Sequence, residues 1–137
     1  MSGIEPAKSF VDSTVVLYLL SEDETKANRA EALFLRRPTI SVQVLNEVAS
    51  VCSRKLRMPW SDIGQFLEPI RSLCQVVPIT VDTHDLARRL AERHGFSFYD
   101  ACIVATASTE GCEYLYTEDV HDGLRVEGGP VLRNPFA

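Results

Sequence analysis

The sequence predicts an α/β fold: a three-layer α/β/α sandwich around a mainly parallel central sheet. Three observations predict it. Short β-type runs alternate with segments of helical period along most of the chain, the pattern that βαβ units produce. One segment, Phe98 to Ser108, has an interior (ACIVATA) that is apolar or small nearly all round, as in a helix buried on most sides. The length of 137 residues suits one domain; such a chain buries roughly two-thirds of its unfolded surface without disulfides or a structural metal. Residues 1–137 are therefore expected to form a single domain, with 1–7 as a disordered lead-in.

The elements follow in order. Lys8 to Val11 (KSFV) is a short β run ending at Asp12, and Ser13 to Leu20 reads as a short helix. Glu22 to Glu24 is an acidic turn before the helical pattern Ala27 to Leu35. Pro38 opens the β run Thr39 to Val42. A helix from about Gln43 to Leu56 follows, with Val44, Leu45, Val48, Ala49 and Cys52 on its apolar face. Trp60, Ile63, Phe66, Leu67, Ile70, Leu73 and Cys74 define a further amphipathic helix started at Ser61-Asp62, which Pro69 should kink or interrupt. Val76 to Val81 is a β run. Asp82 should cap the next helix, which ends at Gly95 after His94. After the buried helix, Tyr114 to Tyr116 and Val131 to Arg133 are the last two strands. Right-handed crossovers then place helices on both faces of the sheet.

Composition excludes several function classes. Hydrophobic residues make up 45% and charged residues 24%, ordinary values for a globular protein. The longest apolar candidate, Thr14 to Leu20, is far short of the ~20 residues that span a bilayer, and the N-terminus lacks a basic region followed by an apolar core. A cytoplasmic location without membrane contact is expected. Cys52, Cys74, Cys102 and Cys112 form no C-x-x-C pair and lie in apolar surroundings, as core residues of a reducing compartment do. The formal net charge of −5 opposes bulk attraction to nucleic acid, unless several carboxylates hold divalent cations. Local basic clusters remain at Arg36-Arg37, at Arg54, Lys55 and Arg57, and at Arg88, Arg89 and Arg93.

Chemistry should gather outside the carboxyl ends of the strands. Asp12 ends the first β run, and Asp119 follows Tyr114–Tyr116 by three residues. Asp100 begins the buried helix, and Glu47 lies about one turn into the helix after Thr39–Val42. Four carboxylates can therefore converge on one edge of the sheet. Their mutual repulsion is relieved by hard divalent cations, which prefer oxygen ligands and suit phosphodiester hydrolysis. Each acid also has an ordinary reading: Asp12 and Asp100 as helix caps, Glu47 as a surface helix residue, Asp119 as a turn residue. His121 is a minor candidate for substrate contact. Arg54 shares a helix face with Glu47, seven residues and roughly 10 Å further on, where it could hold a phosphate flanking the one being cut. There is no G-x-S-x-G, P-loop or G-x-G-x-x-G motif.

These stretches carry a family resemblance: Phe10-Val11-Asp12-Ser13; Ile40-Ser41-Val42-Gln43-Val44-Leu45-Asn46-Glu47-Val48; Phe98-Tyr99-Asp100-Ala101-Cys102-Ile103-Val104-Ala105; Leu115-Tyr116-Thr117-Glu118-Asp119; and the closing Asn134-Pro135-Phe136. In that order the chain resembles the PIN-domain ribonucleases, and within them the VapC toxins of toxin–antitoxin pairs. The resemblance implies that Asp12, Glu47, Asp100 and Asp119 surround Mg²⁺ or Mn²⁺. It gives Thr117, with Ser13, a supporting place and puts Asp122 where some members have a further acid. It also implies a homodimer, a cognate antitoxin and structured RNA such as tRNA as substrate. The expected activity is a metal-dependent endoribonuclease leaving a 5′-phosphate. The alternative is a PIN-like module that binds RNA or protein without cutting. An aspartyl phosphotransferase with Asp12 as nucleophile is disfavoured, because Asp12-Ser13-Thr14 lacks the second Asp that such enzymes show.

Overall fold

The computed structural model describes residues 7–118 and 122–137. The expected lead-in falls almost wholly on residues 1–6, outside the described ones. Among the described residues, five strands form one parallel sheet: β1 (Ser9–Val11), β2 (Thr39–Ser41), β3 (Gln75–Val77), β4 (Tyr114–Tyr116) and β5 (Val131–Arg133), in the order β3-β2-β1-β4-β5. Six helices connect them: α1 (Ser13–Leu17), α2 (Glu24–Phe34), α3 (Val42–Arg54), α4 (Trp60–Leu73), α5 (Val81–His94) and α6 (Phe98–Thr109).

That strand order has a consequence for function. From β1 the chain steps outward to β2 and β3, then returns across the sheet to β4. Right-handed crossovers put the connections of the outward path on one face and those of the return on the other. The packing agrees, since α3 contacts α1 and α4, while α5 packs on α6. The result is the α/β/α sandwich that the sequence predicts. The direction reverses between β1 and β4, and in such sheets the crevice at the carboxyl end of the reversal is where ligands bind.

The core explains why the strands are so apolar. Phe10, Val11, Ile40, Leu115 and Leu132 have no exposed surface, because both faces of a parallel sheet are covered by helices. Helix α6 adds Ala101, Val104, Ala105 and Ala107, also fully enclosed. Cys52, Cys102 and Cys112 are buried, Cys74 is half-buried, and all four are free thiols. Burial pushes the Cys74 thiol up to about 12 and the Cys112 thiol up to about 11.

Several boundaries differ from those read in the sequence. Helix α4 runs through Pro69 without interruption. The missing proline N–H frees the carbonyl of Gln65, and both residues lie on the exposed side, where water can satisfy it. Helix α5 starts one residue before Asp82: the Thr80 hydroxyl caps it by accepting from the Thr83 amide at 3.1 Å, and Asp82 sits in the first turn. Pro78 follows directly on β3, which is correspondingly shorter than the apolar run. After Leu17 the first helix tightens into a 3₁₀ turn, Tyr18–Leu20. Asp23 caps α2 three residues earlier than the apolar pattern suggested. Gly95 ends α5 at φ 71°, a left-handed conformation that favours glycine.

Candidate active site

Parallel register builds the centre of the site. Val11 of β1 is paired with Tyr116 of β4, so the next residues, Asp12 and Thr117, emerge side by side. The Asp12 amide donates to the Tyr116 carbonyl at 3.1 Å, and the Thr117 amide to the Arg133 carbonyl at 2.9 Å. The Thr117 hydroxyl, buried with its residue, donates to Asp12 Oδ2. Asp12 also caps α1: its Oδ1 accepts from the Thr14 amide at 2.7 Å and from the Thr14 hydroxyl. A carboxylate that is only 5% exposed is thus held by three neutral donors. Capping and site membership, set as alternatives on sequence grounds, are compatible in one residue.

Glu47 comes to the same edge from α3. Its Oε1 accepts from the Ser13 hydroxyl at 3.1 Å, and its Oε2 lies 3.5 Å from Gln43 Nε2. The Gln43 amide also donates to the Tyr99 carbonyl at 3.1 Å, which ties the start of α3 to the start of α6 beside Asp100. Asp100 itself is half-buried in the first turn of α6, and its amide is capped by Ser97 Oγ at 3.3 Å. Hydrogen bonds thus join Thr117 to Asp12 and Glu47 to the adjacent Ser13, and Asp100 is linked to them through its neighbour Tyr99. Asp119 and His121 lie outside the described residues. Asp122 is exposed, and its carboxylate accepts the Asn134 amide at 2.8 Å, which anchors the C-terminal turn.

An open groove of about 1250 Å³ reaches Ser13, Thr14 and Glu47, while Asp12, Thr117 and Asp100 are not on its wall. Ser13, Gln43 and Glu47 line one stretch of it, and Arg54 and Lys55 another, with Tyr99 and Phe98 also on its wall. Arg54, exposed at the end of α3, therefore shares a surface with Glu47, as their spacing predicts. Cys102 also lines the groove. Burial, with the Glu47 charge in second place, raises its pKa and so disfavours the reactive thiolate.

Two residues of the site were not singled out from the sequence. Thr14 supplies two of Asp12's donors, and Gln43 couples α3 to α6. Gln43 sits four residues before Glu47, the spacing that places two side chains on one helix face. Thr14 sits two residues after a candidate cap, where the capped amide is expected. Both signals were present.

The donor set bears on the metal that the fold implies. Among the described residues, no three His, Cys, Asp or Glu side chains come together as a ready-made cluster. The groups that do converge are carboxylate and hydroxyl oxygens. That chemistry fits a hard divalent cation of the Mg²⁺ type, which uses one or two protein carboxylates and takes its remaining ligands from water and phosphate.

Comparison with known proteins places this arrangement. No curated protein matches the chain by sequence. Among solved structures, a toxin–antitoxin complex from Klebsiella pneumoniae superposes with a TM-score of 0.70 at 20% identity, covering 93% of this chain and 98% of that one. VapC20 of Mycobacterium tuberculosis, described as a sarcin–ricin loop cleaving toxin, gives 0.66 at 21% identity over 82% and 90%. VapBC2 of Rickettsia felis, bound to a DNA fragment from its promoter, gives 0.69 at 18% identity over 92% and 97%. At these identities the likeness is one of fold. The PIN domain family model matches residues 9–121, most of the chain, and the chain therefore belongs to the PIN-domain family.

Proposed function

We propose that this chain is a metal-dependent endoribonuclease and the toxin of a toxin–antitoxin pair. The observation that carries the reading is the buried Asp12 carboxylate at the β1/β4 reversal, with Glu47 joined to the neighbouring Ser13. Thr14 and Thr117 hold both oxygens of that carboxylate in place at the strand ends, where a cation would meet it. Support comes from the family and from structural relatives that include a toxin described as cleaving the sarcin–ricin loop.

In this reading Asp12, Glu47, Asp100 and Asp119 hold Mg²⁺ or Mn²⁺, with Thr117 and Ser13 in support. A cation held there would lower the pKa of a water and offset charge on the phosphate. The chain's own residues do the rest. Thr14 and Thr117 fix both oxygens of Asp12, Ser13 orients Glu47, and the groove sets the path of the RNA. Arg54, with its planar fork of donors, grips a phosphate that flanks the scissile one. A solvent-derived oxygen adds to phosphorus and the 3′ oxygen leaves, so the product carries a 5′-phosphate.

The partners follow from the same reading: structured RNA as substrate, a cognate antitoxin and a second copy of the chain. Exposed apolar residues on the groove wall, Val42 (44%), Ile79 (39%) and Tyr99 (67%), support a face that is covered in an assembly. Asp12→Asn tests the activity, because it removes the charge at nearly constant size. We expect metal-dependent cleavage of total RNA to vanish while far-ultraviolet circular dichroism is unchanged. Cleavage at the wild-type rate by Asp12→Asn, or wild-type cleavage that persists in EDTA, would overturn the reading.

A further inference from the structure

Phe136, which follows Pro135 after the last strand, packs on Tyr18 of the 3₁₀ turn with ring centroids 4.3 Å apart. Three contacts hold the segment that carries Phe136. The Asn134 amide donates to Asp122 at 2.8 Å, the Phe136 amide donates to Asn134 Oδ1 at 2.9 Å, and Arg29 reaches the Pro135 carbonyl at 3.4 Å. On the other side, the Tyr18 hydroxyl lies 2.8 Å from both carboxylate oxygens of Glu118. Lys26 covers the same cluster: its ammonium is 3.7 Å from Glu118, 4.9 Å from the centre of the Tyr18 ring and 5.8 Å from that of Phe136. An aromatic pair, a hydroxyl proton shared between two carboxylate oxygens and a cation thus converge on one glutamate that the reaction described above does not use.

Glu118 follows Thr117 and precedes Asp119. Its amide donates to the Thr14 hydroxyl oxygen at 3.3 Å. A threonine hydroxyl has one proton to give. With Glu118 N–H occupying a lone pair of that oxygen, the proton is directed to Asp12 Oδ1. The relay runs from Phe136 through Tyr18, Glu118 and Thr14 to Asp12.

We propose that Tyr18 and the C-terminal turn Asn134–Ala137 form a clamp that positions Glu118, and through it the Thr14 hydroxyl, on the Asp12 carboxylate. Tyr18, Glu118 and Phe136 are positioning residues, and the catalytic part of the proposal rests on the nuclease reading. The clamp makes the turn at Asn134–Ala137 part of the site's construction. Losing Phe136 releases the Tyr18 ring, and losing the Tyr18 hydroxyl releases Glu118.

The test uses the full chain and three variants. Tyr18→Phe keeps the ring and removes the hydroxyl, Phe136→Ala removes the stack, and Phe136→Tyr keeps it. The first readout is hydrogen exchange of the assigned Glu118 and Thr14 amides in EDTA-treated protein, which needs neither metal nor RNA. The second is the affinity for Mn²⁺ by calorimetry, and the third is kcat and KM on RNA at saturating Mn²⁺. We expect Tyr18→Phe and Phe136→Ala to speed exchange at Glu118 about three- to ten-fold relative to the amides of α6, the factor one ordinary hydrogen bond supports. Mn²⁺ affinity and kcat should fall by a similar factor with KM unchanged, and Phe136→Tyr should restore all three. Unchanged exchange at Glu118 together with unchanged Mn²⁺ affinity in Tyr18→Phe would overturn the clamp. If the wild-type chain neither binds Mn²⁺ nor cuts RNA, the nuclease reading fails instead. The exchange measurement then still decides the clamp.

Discussion

Thr117→Val isolates the side-chain hydrogen bond from the Thr117 hydroxyl to the Asp12 carboxylate. Valine has nearly the shape of threonine, so the change removes a hydroxyl from a residue only 1% exposed and leaves no large cavity. What is lost is a donor to a buried carboxylate oxygen. A hydrogen bond to a charged group contributes about 1.5–3 kcal/mol. Unfolding entropy of roughly 2.1 cal/mol/K per residue amounts to about 0.29 kcal/mol/K for 137 residues. The expected fall in Tm is therefore about 5–10 °C. The assay is thermal unfolding in EDTA, so that no metal contributes. Thr117→Ser serves as the control: it keeps the donor, loses one methyl and should cost about 1 kcal/mol. If Thr117→Val melts with the wild type, or melts above Thr117→Ser, the hydroxyl does not hold Asp12 and the argument from strand register fails.

Mg²⁺ or Mn²⁺ should raise Tm with occupancy, reaching about 2.7 kcal/mol of added stability at a hundred times Kd. A flat melting temperature to millimolar metal would contradict the assigned site. Asp100→Asn should abolish cleavage with the fold intact, measured on total RNA; full activity would remove Asp100 from the site. Arg54→Ala should weaken RNA binding in Ca²⁺ and lower the slope of log Kd against log salt by about one or less. An unchanged slope and affinity would return Arg54 to the solvated surface. The thiols give a pH test. The raised values of Cys74 (about 12) and Cys112 (about 11) mean that the folded chain retains protons which the unfolded chain gives up near 9. Their stabilising contribution is complete below pH 9 and declines as pH rises through 11 to 12. Denaturant titrations of wild type and Cys112→Ser across that range should diverge, and parallel curves would refute the assignment.

The sequence carried the architecture because burial on both faces makes each strand an apolar run, and turns separate those runs from helical periods. It singled out Asp12 and Asp100 as candidates because an acid at a strand end or in a helix's first turn has few places to point. It was weakest where one local signal competed with another. Asp82 is a good cap, but Thr80 offers an equally good hydroxyl two residues earlier, and Pro78 ends the strand before either. Pro69 breaks helices in isolation, yet on the exposed side of α4 water takes the freed carbonyl. Asp122 reads as one more acid in an acidic stretch, and only the chain's return past β5 shows its carboxylate on the Asn134 amide. Contacts that join distant segments, such as Tyr18 with Glu118, have no local signature.

The bond from Thr117 to Asp12 spans 105 residues. Synthesis at about 5–20 residues per second separates the arrival of the two partners by roughly 5–20 seconds. Throughout that interval β1 lacks the neighbour that completes its inner side, because β4 has not been made. The emerging polypeptide therefore carries its central acid early and unsupported. The Asp12 site is completed only when the order in which the strands leave the tunnel has delivered Thr117.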